Sequence, residues 1–370
     1  MPITEKYAYF DHAAVAPLPK PTHDAIQAWL QTATFDGDTQ WPLWERRVEQ
    51  LRQVAARLVN ADQDEIGLIN NTTTGISHVA EGLDWHAGDN VIVPDNEFPS
   101  NLYPWLNLQT RGVEVRKVEM PEGTLSLDRL AAACDQRTRL ISLSWVGYAN
   151  GYRLDPAAAA RMAHDHNALL FLDAIQGLGV FPLDVKATDI DFFAADGHKW
   201  MLGPEGAGLL YIKRAILPQL RPLCVGWNSV VQRTNFSDHD FRIRPEVARY
   251  EGGSQNICGM HGLAASLELL TTQGLGPQRS VIAESVLRLT SELLQRLDQI
   301  GAIIHSPRDE KTRSGIVSFE LPGRDPAQVR SRLLQEQIVL SVRHGWLRVA
   351  AHGYNNNADI EKLIGELEGK

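Results

Sequence analysis

What the sequence has little of narrows it first. Only three cysteines occur in 370 residues, Cys134, Cys224 and Cys258, odd in number and without a CxxC spacing. That pattern speaks against a disulfide framework and a structural zinc site, and makes a reducing compartment the expectation. A cationic surplus is missing too: 36 Lys and Arg stand against 45 Asp and Glu, a formal net charge of -9. Nucleic acids and anionic membranes bind basic surfaces, so neither is an expected partner and a small-molecule ligand fits better. No apolar run reaches the roughly 18 residues of a transmembrane helix. The N-terminal MPITEKYAYFDHAAVAPLP lacks the apolar core of a signal peptide, and a cytoplasmic protein is expected. No GxGxxG follows the first strands, which removes a nicotinamide-binding Rossmann reading. GPEGAG at 203–208 lacks the Lys-Ser/Thr ending of a phosphate loop and precedes an apparent strand. His164 with His166, and Asp238, His239 and Asp240, have neither helical i, i+4 spacing nor a second cluster, so no metal is expected.

What is present is ordinary globular material, 44% hydrophobic and 22% charged. The length exceeds what one core usually fills, so a large domain (15–257) and a smaller C-terminal one (258–370, with 1–14) are expected. From IGLIN at 66–70 to GAGLLYI at 206–212, short apolar runs alternate with helical patterns, among them a helix opened by Asp155 as cap and Pro156 in its first turn. Such alternation predicts an α/β fold with a mostly parallel sheet covered by helices, followed by a smaller α+β domain. Between them, residues 227–256 are polar, aromatic and irregular, a loop long enough to be functional.

Several constellations point to chemistry, each with a plain structural alternative. Lys199 stands in FFAADGHKWMLGPEGAGLLY between apolar residues; it either snorkels to water or is a desolvated amine fit to form a Schiff base. Asp173, in FLDAIQG, follows four apolar residues and so stands at the carboxyl end of a buried strand, with Gln176 three residues on either facing the same ligand or simply polar surface. A carboxylate there either caps a turn or pairs with a protonated ring nitrogen. NNTTTG at 70–75, containing Thr72 and Thr73, is a helix start suited to a phosphate or simply a cap. Phe98 is core or stacks on a planar ring, Arg348 in WLRVAAH pairs internally or clamps a carboxylate, and YEGGSQN at 250–256 is a turn or a loop built for close approach.

In this order, YFDHAA, TTTG, NEFPSN, DAIQG, DGHKW with GPEGAG, YEGGSQN and RVAAHGYN resemble the class V aminotransferase family of fold type I pyridoxal-phosphate (PLP) enzymes, over essentially the whole chain. The family includes cysteine desulfurases, selenocysteine lyase and isopenicillin N epimerase. The resemblance implies Lys199 as the Schiff-base lysine, Asp173 on the pyridine nitrogen, and Gln176 on the ring's phenolic oxygen. It implies Thr72, Thr73 and His198 at the phosphate, with Ser254 reaching it from the other subunit of a homodimer. Phe98 falls where many relatives stack a His, and Arg348 would take the substrate's α-carboxylate. Asp196 stands where desulfurases often have a Ser, and Tyr148 about where relatives have an Asn. Desulfurases also carry a nucleophilic Cys shortly before the equivalent of Arg348, whereas 341–349 here reads SVRHGWLRV. The expected protein is a PLP enzyme acting on an amino acid, aminotransferase-like first, with a lyase, desulfurase-like or epimerase reaction as the alternative and a non-catalytic PLP or ligand-binding module as the reading from another class.

Overall fold

A computed structural model describes residues 1–369. The apolar runs of the first half become a seven-stranded sheet in the spatial order 66–69, 208–212, 192–196, 169–173, 138–144, 90–94, 114–118. Only the strand Gly208–Ile212 runs against its two neighbours; the remaining pairs are parallel. Most of these strands are buried on both faces, which is why they read as continuous apolar runs rather than alternating ones. Helices cover them where their ends are signalled. Asp155 accepts from the amides of Ala157 and Ala158 to start the helix Pro156–Asp165, and Asn71 accepts from Thr74 to start Thr72–Gly82.

A four-stranded antiparallel sheet follows, in the order 341–343, 346–350, 316–320, 303–304, and packs against the helices Val281–Gln299, Pro326–Gln335 and Asn357–Glu368. The N-terminal arm is more than the extended segment its prolines suggest. Ala8 and Tyr9 pair in parallel with Ile338 and Val339, and Asp11 bridges to Ala350. Ala16 then donates its amide to the carbonyl of His198, 2.7 Å away, so the arm runs from the small sheet to the Lys199 turn. The long segment after residue 221 stays irregular apart from short 3-10 turns at Trp227–Ser229 and Val247–Tyr250. Among the described residues no helix is long and apolar enough to cross a membrane.

Candidate active site

Strands that share a direction end on one edge of the large sheet, and the residues just beyond those ends meet there. Asp173 closes Leu169–Asp173, Asp196 closes Phe192–Asp196, and Ile66–Ile69 leads into Asn71 and Thr72. A cavity of about 330 Å³ opens at this edge, lined by Thr72, Thr73, Phe98, Asp173, Gln176, His198, Lys199 and Arg348. Seven of the eight sequence-predicted cofactor positions therefore come together with Arg348 in one chain. The eighth, Ser254, is exposed on its loop and does not line the cavity.

Lys199 follows Asp196 on a tight turn. Gly203 donates to the carbonyl of Gly197, and Leu202 sits at φ +56, a conformation bulky residues avoid. A side chain at Gly197 would lie 2.7 Å from the Ala207 carbonyl, so glycine is needed where the turn crosses the next strand. Burial lowers the Lys199 amine to about 8, opposed by the charge of Asp173 and helped by those of Arg348 and Arg343. Its Nζ lies 5.5 Å from the centre of the Phe98 ring.

Asp173 is 3% exposed, and desolvation raises its carboxyl to about 6. Its side chain receives one hydrogen bond, from the Ile175 amide at 3.1 Å, and has no cation within ion-pair distance among the described residues. A buried carboxyl this poorly compensated fits a protonated ring nitrogen. The helix start at Thr72 fits a phosphate, because its first-turn amides have no intrahelical partner. Thr72 Oγ accepts from the Asp196 amide at 3.0 Å, and Thr73 Oγ donates to Ser100. Opposite them, His198 Nδ1 is 2.9 Å from Asp196 Oδ2 but lies off the hydrogen-bonding direction, so this buried nitrogen lacks a well-aimed partner. Asp196 also accepts from the Gly197 amide at 2.7 Å, and so braces the turn as well as facing the cradle. Gln176 is largely engaged by protein: Nε2 donates to Ala13 O at 3.0 Å and Oε1 accepts from Trp200 Nε1 at 2.7 Å. One amide hydrogen remains for a ligand.

Arg348 comes from the small sheet and is 1% exposed. Both sequence readings meet in it. Nη2 pairs with Asp11 at 3.3 Å, Nη1 donates to the Tyr148 carbonyl at 2.7 Å and Nε to Ser341 Oγ at 3.1 Å, while the side chain also lines the cavity. Ser341 Oγ donates in turn to Asp11, which fixes the guanidinium plane and leaves two of its five N–H groups free. Tyr148 packs edge-on to Phe98 and its hydroxyl meets His344 Nε2 at 2.7 Å, forming one lip of the site.

Two participants have no counterpart among the sequence expectations. Arg343 lines the cavity, and Glu97 lies behind Phe98. Glu97 accepts from the Ser144 amide and hydroxyl at 2.7 and 2.5 Å, and Ser144 is the register partner of Asp173. Burial, assisted by Asp173, raises the Glu97 carboxyl to about 7. A carboxyl whose folded pKa lies above its unfolded value holds its proton preferentially in the folded state. Its penalty is absent below about pH 4.5 and grows as pH rises towards 7. Glu97→Gln in the cofactor-free protein should therefore gain stability over the parent across this range, by roughly 3 kcal/mol at its top. Urea denaturation at pH 4.5 and 7.5 measures the gap; a gap independent of pH would mean that Glu97 ionises normally.

The sequence profile of the family Aminotransferase class-V matches residues 8–362. A probable cysteine desulfurase of Methanothermobacter thermautotrophicus is 32% identical, covering 99% of this chain and 95% of that protein. Among solved structures, the apo cysteine desulfurase of Thermococcus onnurineus superposes with a TM-score of 0.90 at 26% identity, over 100% of this chain and 96% of the other. C-DES, a cystine C–S lyase in complex with its reaction product cysteine persulfide, superposes with a TM-score of 0.91 at 25% identity, over 99% and 98%. The full-length profile match and these relatives show that the chain belongs to the class V aminotransferase family of fold type I, PLP-dependent enzymes.

Proposed function

We propose that this PLP enzyme catalyses β-elimination from an amino acid bearing a sulfur leaving group, with no protein thiol as acceptor. The observation that carries the choice is the absence of cysteine from the residues that line the cavity. Cys134 donates its thiol to Leu130 O at the end of a helix, Cys224 is exposed on another segment, and Cys258 lies in the first turn of Ile257–Thr272. Desulfurase and C–S lyase names among the relatives favour sulfur chemistry over amino-group transfer. With no thiol in the cavity, the sulfur departs on the substrate's own leaving group.

When bound, PLP supplies the electron sink for a carbanion at the substrate Cα. Thr72, Thr73 and His198 would hold its phosphate, Asp173 its ring nitrogen and Gln176 its phenolic oxygen, with Phe98 against the ring. Arg348 offers its two free N–H groups to the substrate α-carboxylate, a planar match that lysine lacks. Lys199 Nζ would take the proton from Cα; burial favours its neutral form, the one that accepts a proton. L-Cystine plus water then yields pyruvate, ammonia and cysteine persulfide.

The same reading includes a homodimer, with Ser254 of one copy completing the phosphate cradle of the other. Its loop is anchored by Glu251, which holds Arg52 at 2.6 Å and the Leu68 amide at 2.8 Å, while Ser254 itself faces outward. We draw the large unit at 15–257 and the small one at 258–370 with 1–14, following the gap between the two sheets at 212 and 303. A cytoplasmic location fits three unpaired cysteines. The decisive experiment is turnover of L-cystine by the parent and by a Cys134→Ser, Cys224→Ser, Cys258→Ala variant. Equal release of pyruvate and ammonia, with kcat/KM within about two-fold between the two proteins, is expected. Transfer of the amino group to an added 2-oxo acid instead of ammonia release, or a cysteine-free variant without activity, would overturn the reading.

A further inference from the structure

One cation in the cavity has no task in the scheme above. Arg343 ends the strand Ser341–Arg343, and a tight turn with His344 at φ +52 and Gly345 at φ +80 returns the chain to Trp346, its register partner. The side chain is half-buried in the cavity wall. Its hydrogen bond goes to the carbonyl of its own neighbour, Val342, at 2.8 Å, and it makes no ion pair among the described residues. Arg348, by contrast, is held by Asp11, Ser341 and Tyr148.

An unpaired guanidinium beside another guanidinium and an amine does not favour the fold: its charge depresses the pKa of both Arg348 and Lys199. Of the three cations, Arg348 has Asp11 and Lys199 has Asp173 and Asp196 nearby, which leaves Arg343 without a carboxylate partner among the described residues. Asp173 and Asp196 stand on the large-sheet side with Lys199, and so does the helix start at Thr72 that suits the phosphate. Arg343 and Arg348 come instead from neighbouring strands of the small sheet. In the proposed scheme Arg348 takes the α-carboxylate, which leaves Arg343 as the cavity cation without an anion. The lip beside it, where the Tyr148 hydroxyl meets His344 and its ring meets Phe98, contributes no negative charge.

We propose that Arg343 is a specificity-determining residue that binds a second carboxylate, at the far end of the substrate side chain. The substrate class is then amino acids with a carboxylate beyond the scissile C–S bond, such as L-cystine or S-carboxyalkyl cysteines, in preference to cysteine itself. In L-cystine the far carboxylate belongs to the half that leaves as cysteine persulfide, so Arg343 holds the leaving group while Arg348 holds the half that becomes pyruvate. This rests on the elimination reading for its chemistry, though not for the binding preference.

The test uses the holoenzyme and two arms. In the first, L-2-aminoadipate and L-norleucine, alike in length but differing in the distal carboxylate, are titrated while the absorbance of the bound cofactor is followed. The parent should prefer aminoadipate, and Arg343→Gln should lower that preference by about ten- to one-hundred-fold, the span of one charged hydrogen-bonded contact. Arg343→Lys should restore part of it, whereas Arg348→Lys should weaken both ligands together. In the second arm, the ratio of kcat/KM for L-cystine over S-methyl-L-cysteine should fall by a similar factor in Arg343→Gln. A parent without preference, a preference that survives in Arg343→Gln, or an equal loss for both ligands would overturn the assignment. If the parent turns over neither sulfur compound, the elimination reading fails while the binding arm still decides the role of Arg343.

Discussion

Lys199→Ala should yield a protein to which borohydride fixes no cofactor and whose turnover is lower by about 10⁴-fold or more. The size of the effect follows from the two separate duties that the proposed mechanism gives the amine. It is the only lysine among the residues lining the cavity, so no second side chain can supply the covalent attachment. In the proposed mechanism it also accepts the Cα proton, and the carboxylates nearby would not replace it: Asp173 would serve the ring nitrogen, and Asp196 accepts from the Gly197 amide of the turn. Burial brings the amine to about 8, near enough to neutrality for it to act both as nucleophile and as base. The duties can be separated. A small amine added to Lys199→Ala should recover part of the proton transfer, rising with amine concentration, while borohydride trapping stays absent. Cofactor still fixed to the variant would move the attachment to another lysine, and activity above about one per cent of the parent would remove Lys199 as the base.

The long periodic elements and the residues at strand ends were legible because their signals are local. Four apolar residues before Asp173 place it at a strand's carboxyl end whatever the rest of the chain does, and the glycines around Lys199 announce a turn. Arg343 carries no such signal. An Arg before a His-Gly turn is ordinary hairpin chemistry, and only the pairing of 341–343 with 346–348 aims it at the cavity beside Arg348. Glu97 was hidden in the same way: its role depends on Ser144 lying opposite Asp173 in the sheet, a register that forms between strands some 30 residues apart in sequence. The N-terminal arm read as extended because of its prolines, yet its partners lie more than 300 residues away at Ile338, Val339 and Ala350. Arg348 left two readings open, and the structure holds both, since a guanidinium has enough N–H groups to pair with Asp11 and still face a ligand.

For Asp173→Asn the expected result is a kcat lower by about 10³-fold or more, with cofactor affinity and KM each changed by less than about ten-fold. Asparagine keeps the shape of the side chain and an oxygen for the Ile175 amide, so the strand end and the cavity should persist. What it removes is a charge. In the protein alone, desolvation disfavours that charge and raises the carboxyl to about 6. A protonated ring nitrogen reverses the balance, because a charge-assisted hydrogen bond in a buried site favours the carboxylate and the pyridinium together. In the proposed mechanism the carboxylate would keep the ring nitrogen protonated, and so support the electron sink that the cofactor would supply. A neutral amide cannot hold that proton on the ring, so the loss falls on the transition state while the phosphate, the lysine and Arg348 continue to hold the ground state. The absorbance spectrum of the bound cofactor as a function of pH reports the ring's proton independently of turnover, and should differ between Asp173→Asn and the parent. If kcat and affinity fall by the same factor and the spectra coincide, Asp173 serves only to bind the cofactor and the electron-sink role belongs elsewhere.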